Sequence, residues 1–148
     1  MTLPFASTAE RAFTGLHVAV YRATGGVLGG RWGRARLLLL TTTGRRTGAR
    51  RTKPLLCLPD PEGDRWVVVA DANGSPRHPA WWLNLRQAGT GVVQLGRERH
   101  AVTAFEVTDD ERAVLWPQLA ALYRGYERDA RRTTRRLPVV ALVRSRKA

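Results

Sequence analysis

Apolar positions in this chain gather into short uninterrupted runs set between polar turns that carry glycine or proline. Leu37-Leu38-Leu39-Leu40, Leu55-Leu56-Cys57-Leu58, Trp66-Val67-Val68-Val69-Ala70 and Val139-Val140-Ala141-Leu142-Val143 are the clearest. Runs of that length, bounded by turn signals, read as buried strands. They predict strands over Ala35–Thr42, Thr52–Leu58, Trp66–Ala70 and Leu137–Val143. Two more, Val92–Leu95 and Glu98–Val107, make a hairpin around Gly96-Arg97. Helical spacing is confined to fewer places. Phe13, Leu16, His17, Val20 and Tyr21 share a face in a helix from about Ser7 to Leu28. Ser7 or Thr8 with Glu10 starts it, and Gly25-Gly26 and Gly29-Gly30 break it. Trp81, Trp82 and Leu85 share a face in a short helix over Pro79–Arg86. Thr108 and Glu111 form a capping box for a helix reaching about Tyr123, and 127–136 is polar and compatible with a helix. Six strands joined mostly by hairpin-length turns favour a mainly β fold, an antiparallel barrel with flanking helices, over a doubly wound sheet.

Length and composition keep that reading to one domain. At 148 residues, 43% of them apolar, the chain suits a single soluble domain, 1–148, with 1–30 as an N-terminal helical segment. No run approaches the ~20 apolar residues of a membrane span. Met1-Thr2-Leu3-Pro4-Phe5 lacks the basic start and apolar core of a signal peptide. A single cysteine, Cys57, cannot staple a fold, and its apolar strand suits a buried thiol. These features point to the cytoplasm.

Charge changes the picture more. The formal net charge is +13, and it is unevenly placed. Residues 11–59 contain ten basic residues and no Asp or Glu, whereas 60–148 hold 15 basic and 11 acidic. The centre of the acid-free stretch is Thr41-Thr42-Thr43-Gly44-Arg45-Arg46-Thr47-Gly48-Ala49-Arg50-Arg51-Thr52-Lys53-Pro54, lying between two strands. Glycines let backbone N–H groups turn toward a ligand, hydroxyls donate, and guanidinium forks match phosphate or carboxylate oxygens in pairs. The segment reads as a cradle for a polyanion.

Several chemistries lack their signatures. There is no G-x-G-x-x-G after a strand and no Walker loop. His17, His78 and His100 have no metal-ligand spacing, one cysteine does not make a structural zinc site, and no elbow motif supports a serine nucleophile. A bound cofactor would then carry the hard chemistry. A second polar loop, Asp71-Ala72-Asn73-Gly74-Ser75-Pro76, also follows a strand, so both loops can lie at one barrel mouth. Trp81 and Trp82 stand just beyond it, where packing the helix on the barrel is their plainer role. Asn84, on the same helix, suits a bond to backbone. Tyr123 and Tyr126, three apart, can share one helix face.

Three separated strings carry a resemblance. Leu39-Leu40-Thr41-Thr42-Thr43-Gly44-Arg45-Arg46-Thr47-Gly48 with Arg51 and Pro54-Leu55 is the first, and His78-Pro79-Ala80-Trp81-Trp82-Leu83-Asn84-Leu85 the second. The third is Trp116-Pro117-Gln118-Leu119 followed by Tyr123, Tyr126, Thr133, Arg135 and Leu137-Pro138. From about Leu16 to Val143 the chain resembles the deazaflavin-dependent nitroreductase and quinone reductase family. The resemblance implies a split β-barrel that binds coenzyme F-420, a deazaflavin whose tail carries a phosphodiester and several glutamates. It implies that Arg45, Arg46 and Arg51 hold the tail, with Lys53 added by its charge, in a loop shaped by Thr43, Gly44, Thr47 and Gly48. The loop Asp71, Ala72, Asn73, Gly74 would run along the cofactor and Trp81 would wall its ring. Tyr123 and Tyr126 would be the catalytic pair on the substrate side. The implied reaction is hydride transfer to an activated acceptor, a quinone or a nitroaromatic. The chain departs from the family's pattern in two places. Its ring-side loop usually reads Ser-Lys-Gly-Gly where this chain has Asp71-Ala72-Asn73-Gly74, and Asp129 replaces a tyrosine often found three residues after Tyr126.

Two other classes compete. A sequence pI of 11.6 suits a nucleic-acid-binding protein, but no recognition helix or zinc finger accompanies it and the cations concentrate in one loop. A split barrel holding FMN, haem or a fatty acyl group keeps the fold and changes the ligand. The N-terminal segment, 1–30, could also rest on an anionic membrane near lipid quinones. Oligomeric state and the physiological acceptor are not written in the residues.

Overall fold

The computed structural model describes residues 8–32, 35–60 and 64–145. Their elements follow the order α1 (Thr8–Thr24), β1 (Arg31–Trp32), β2 (Ala35–Thr43), β3 (Arg50–Pro59), β4 (Arg65–Val69), α2 (Ala80–Ala88), β5 (Thr90–Leu95), β6 (Glu98–Glu106), α3 (Asp109–Leu122), α4 (Gly125–Arg132) and β7 (Val139–Arg144). Every strand pairing is antiparallel, and the order β2-β3-β4-β7-β6-β5 closes on itself through β5 and β2. The predicted six-strand barrel is present, with the two-residue β1 added along β2. Gly33-Arg34, which follows it, lies outside the described residues. The start signal at Ser7 and the centre of the turn after β3, 61–63, lie outside them too.

Strand alternation sets the layers. Leu38 and Leu40 of β2, Cys57 of β3, Trp66 and Val68 of β4, Val93, Val102, Val140 and Leu142 fill the barrel, and Trp81, Trp82 and Leu85 of α2 join the same core. The opposite faces are covered by helices. Leu37 and Leu39 pack under Val18 and Tyr21 of α1, and Val67, Val69 and Val139 pack under Leu115, Leu119 and Tyr126 of α3 and α4. β2 is therefore apolar on both sides, which explains its unbroken leucine run.

Local stops are legible in the same terms. α1 ends at Thr24 rather than near Leu28, because Gly25 and Gly26 take φ of 62° and 84°, a region a Cβ disfavours. The Gly96-Arg97 turn joins Leu95 and Glu98 as expected. Thr108 Oγ1 accepts from Glu111 N at 3.2 Å and starts α3. Arg65, at the start of β4, reaches Asp60 just after β3 at 2.6 Å and Glu111 of α3 at 2.8 Å. The polar stretch 127–136 is helical only to Arg132, beyond which an extended segment leads into β7.

Candidate active site

One seam of the barrel opens. β2 and β3 stay in register from Arg36–Cys57 to Thr43–Arg50. β3 and β4 pair only at Leu58–Val67 and Pro59–Trp66. β3 then runs back toward Arg50 while β4 runs on to Val69, so the two strands diverge into a cleft. β3 lines one side. Tyr126 of the α3–α4 junction stands near Cys57 of β3 and near Asp71 of the loop after β4.

The cations divide between the two faces of β3. Leu55 and Cys57 belong to the barrel interior and Leu56 to the α1 side. By strand alternation Arg51 and Lys53 share the interior-side face, while Arg50 and Thr52 share the α1 side. Arg51 and Lys53 are nevertheless exposed, which marks where the interior face is open. On the other side of the hairpin the β2–β5 ladder stops at Thr41–Val92, and a depression of about 410 Å³ is lined there by Thr43, Arg50, Thr90, Gly91 and Ser145.

The hairpin that carries these cations is shorter than its sequence suggests. β2 extends through Thr43 and β3 begins at Arg50, leaving a six-residue turn, 44–49. Gly44 N donates to Ala49 O at 2.7 Å and Gly48 N to Gly44 O at 2.8 Å. Thr47 Oγ1 accepts from Ala49 N at 3.2 Å. These glycine N–H groups thus close the turn instead of facing outward, a correction to the cradle expected from sequence. Asn84 of α2, only 4% exposed, fastens the turn to the barrel end. Its Oδ1 accepts from Arg45 N at 3.1 Å and Arg45 Nη1 at 3.0 Å, and its Nδ2 donates to Thr42 Oγ1 at 3.5 Å. Arg45 is partly engaged in the structure, and Arg46 is exposed at the tip.

Across the cleft, the 71–75 loop is held at both ends. Asp71 Oδ1 accepts from Gly74 N at 2.9 Å, and Ser75 N donates to Ala72 O at 3.0 Å. Asn73 and Gly74 take φ of 55° and 75° to close it. Arg135 donates from Nε to Ser75 O at 2.9 Å and from Nη1 to Ala70 O at 3.2 Å. Its Nη1 also stands 3.1 Å from His78 Nδ1. A guanidinium only donates, so this contact requires a lone pair on Nδ1 and a neutral ring. Burial and the Arg135 charge lower the His78 pKa in the same direction. Arg135 Nη2 is buried without a partner among the described atoms.

The tyrosine pair stands at the helix junction. α3 ends at Leu122, Tyr123 is extended at φ −149°, and α4 restarts at Gly125. Tyr123 and Tyr126 pack edge to face with centroids 5.0 Å apart, and Trp116 lies 6.5 Å from Tyr126. Tyr126 is 7% exposed, and burial raises its phenol pKa, with Asp71, Tyr123 and Cys57 adding to the shift. Burial likewise pushes the Cys57 thiol up to about 12, so it is the neutral buried thiol expected. Trp81, expected beside a ring pocket, is 6% exposed and belongs to the barrel core with Trp82, 6.5 Å away.

The structure therefore sets Arg51 and Lys53 on the stretch of β3 that β4 leaves uncovered, and brings Asp71 near Tyr126. Sequence reasoning left Gly125 out of the site and gave Asn84 and Arg135 no site role. A polar residue on the apolar face of α2 was the available signal for Asn84. Arg135 was marked only as part of the third string, without a role, and nothing marked Gly125; their roles depend on contacts distant in sequence and on a ring folded back over the backbone.

The sequence profile of the F420H(2)-dependent quinone reductase family matches residues 14–144. The chain belongs to that family. It is an oxidoreductase whose cofactor is reduced coenzyme F-420. An F420H(2)-dependent quinone reductase of Mycobacterium tuberculosis is 39% identical over 136 residues, covering 87% of this reductase and 88% of the relative. A solved F420-H2-dependent reductase, FDR-A, superposes with a TM-score of 0.64 at 32% identity, covering 72% of this chain and 92% of its own. A putative pyridoxamine 5'-phosphate oxidase from Listeria innocua, 11% identical with a TM-score of 0.53 over 88% of this reductase and 94% of its own chain, shares the fold alone.

Proposed function

We propose that this reductase holds coenzyme F-420 along the open edge of β3 and reduces a quinone, or another activated acceptor such as a nitroaromatic, beside Tyr123 and Tyr126. The short β3–β4 pairing carries this reading, because it leaves the part of β3 that bears Arg51 and Lys53 uncovered by β4. The group fits the residues present. Arg51 and Lys53 stand on one strand face toward the cleft, and Arg46 is exposed at the hairpin tip, so a flexible anionic tail meets a short basic track. Thr43, Gly44, Thr47 and Gly48 shape the hairpin, and Asn84 fixes it through Arg45. The loop from Asp71 through Ala72, Asn73 and Gly74 forms the facing wall, and Trp81 supports the barrel end from within.

When bound, the deazaflavin supplies the hydride. The chain's own residues orient, exclude water and manage charge. The tight packing of Trp116, Tyr123 and Tyr126 keeps the wall apolar, which strengthens any hydrogen bond made there. Tyr126 stays protonated well above neutral pH, so its hydroxyl is a donor for an acceptor oxygen that gains negative charge. Tyr123, only half buried, lies on the side open to the acceptor.

The reading is tested by titrating the protein with oxidised coenzyme F-420 under fluorescence, then screening quinone and nitroaromatic acceptors with the reduced form. Binding in the micromolar range with quinone turnover is expected, and no binding at high micromolar coenzyme refutes it. Among the described residues no helix is long and apolar enough to cross a membrane. A cytoplasmic enzyme touching a bilayer through the exposed Phe13 and Leu16 of α1 accords with a lipid quinone as acceptor. Failure to float with anionic liposomes would remove that last element.

A further inference from the structure

Asp71 and Asp129, the two acidic departures from the family pattern, meet in the fold. Asp129 of α4 is 2% exposed, and it stands close enough to Asp71 to raise that carboxyl's pKa. Two neighbouring carboxylates repel unless one carries a proton. The surrounding charges do not replace it. Arg128 Nε and Arg132 Nη1 lie 3.8 and 3.9 Å from Asp129 Oδ1, and their side chains are 55% and 60% exposed. At such lengths, in solvent, they compensate a buried carboxylate weakly. On the Asp71 side stand the Gly74 N–H, Arg135 and the Tyr126 phenol. Behind Tyr126 lie Tyr123 and Cys57, and behind Arg135 lies His78 with Arg86 and Glu106.

The loop that carries Asp71 touches α4 elsewhere too. A Cβ on Gly74 would come within 3.0 Å of Arg132 Cβ and 3.3 Å of Asp129 O. Its φ of 75° is also one that a side chain disfavours. The loop thus rests on α4 by backbone approach at Gly74 and by the carboxyl pair at Asp71.

We propose that Asp71 keeps a proton that it presents to Asp129, and that this proton latches the 71–75 loop onto α4. In this role they are positioning residues for the wall that, on the reading above, faces the coenzyme. Burial and the neighbouring Asp129 raise the Asp71 pKa to about 6. For a carboxyl raised in the folded state, the stabilising effect is complete below the ordinary carboxylate range. It is lost as pH rises through about 6. Loss of the proton loosens the loop and adds negative charge beside a polyanionic ligand, so both effects weaken coenzyme binding in the same direction.

Asp71→Asn tests the latch, because a carboxamide N–H donates to Asp129 at every pH without needing that proton. In coenzyme-free wild type, hydrogen-exchange protection factors at 72–75 should fall severalfold between pH 5 and pH 8, and in Asp71→Asn they should stay level. An infrared carboxylic-acid band should persist in wild type near pH 5.5 and be missing from the variant. With coenzyme present, wild-type Kd should rise about tenfold across that range, a usual size for coupling between sites, and the variant's by less than twofold. Comparison at each pH cancels any titration of the coenzyme itself. Asp129→Asn should reproduce the level profile if it folds. Level protection and no acid band in wild type overturn the proposal. Protection that tracks pH in a protein that does not bind coenzyme would uphold the latch while removing the coenzyme reading.

Discussion

Replacing Gly125 by alanine should destabilise the protein through one neighbour, Tyr123. A Cβ built on Gly125 would fall 2.5 Å from Tyr123 Oη and closer still to Cζ and Cε1. Ordinary carbon contacts lie near 3.5–4.0 Å, so the ring must retreat by roughly an ångström or more. Retreat breaks the edge-to-face contact with Tyr126, at 5.0 Å and 89°, a loss of about 0.5–1.5 kcal/mol. Strain in the overfilled site adds about 1–3 kcal/mol. Against this, alanine at the first residue of α4 returns at most about 1 kcal/mol of helix propensity. The net expectation is a loss of about 1–3 kcal/mol in urea denaturation, with KM for the acceptor raised more than coenzyme Kd. Placing the same change in a Tyr123→Ala background removes the obstacle, and there Gly125→Ala should become neutral or stabilising by up to about 1 kcal/mol. If the two changes simply add, Gly125 is not making room for the ring and the argument fails.

Other perturbations separate the parts of the cleft. Arg51→Ala with Lys53→Ala should raise coenzyme Kd by about tenfold or more and flatten its salt dependence, whereas Arg50→Ala on the opposite face should change Kd by less than about threefold. Similar losses from both variants in the fluorescence titration would contradict the facial division. Tyr126→Phe should lower kcat for quinone by about 100-fold, the loss typical of one donor to a developing oxyanion. Its coenzyme affinity should be almost unaltered, and equal slowing of a Tyr123→Phe control would argue against the assignment. Asn84→Ala should cost about 1–2 kcal/mol of stability, since Arg45 N and Thr42 both lose their partner, and it should weaken coenzyme binding by loosening the hairpin. Between pH 5 and 8 the wild type should lose more stability in urea than Asp71→Asn does. The Asp71 pKa is raised in the folded state, and so its contribution is spent as pH climbs.

The barrel was legible because its strands are short, apolar and bounded by strong turn residues, and the Gly96-Arg97 hairpin and Thr108 cap appear where local chemistry puts them. The division of the basic cluster was not. Alternation fixes which side each arginine takes, but Leu37–Leu40 are buried on both faces of β2 and hide the phase. Arg50 and Arg51 consequently read as one loop when they stand on opposite faces. The two-residue β1 carries no periodicity at all, so only its pairing with Ala35 and Arg36 reveals it. Asp71 and Asp129 were visible singly as departures from a family pattern. That they touch is a property of how the loop after β4 meets α4, which no local signal encodes.

The short β3–β4 register also leaves an edge. From Arg50 to Cys57 one side of β3 has no β4 partner, and an uncovered strand edge invites pairing by another chain. Pro54 lies midway along it, a residue tolerated where its missing N–H points away from the ladder. Arg50, Arg51 and Lys53 add repulsion along the same stretch. An opening suited to a ligand would otherwise be a docking rail for a stray strand, and the cations and proline together guard it. Neutralising them should lower solubility even where the fold survives, with aggregation that coenzyme suppresses by occupying the edge.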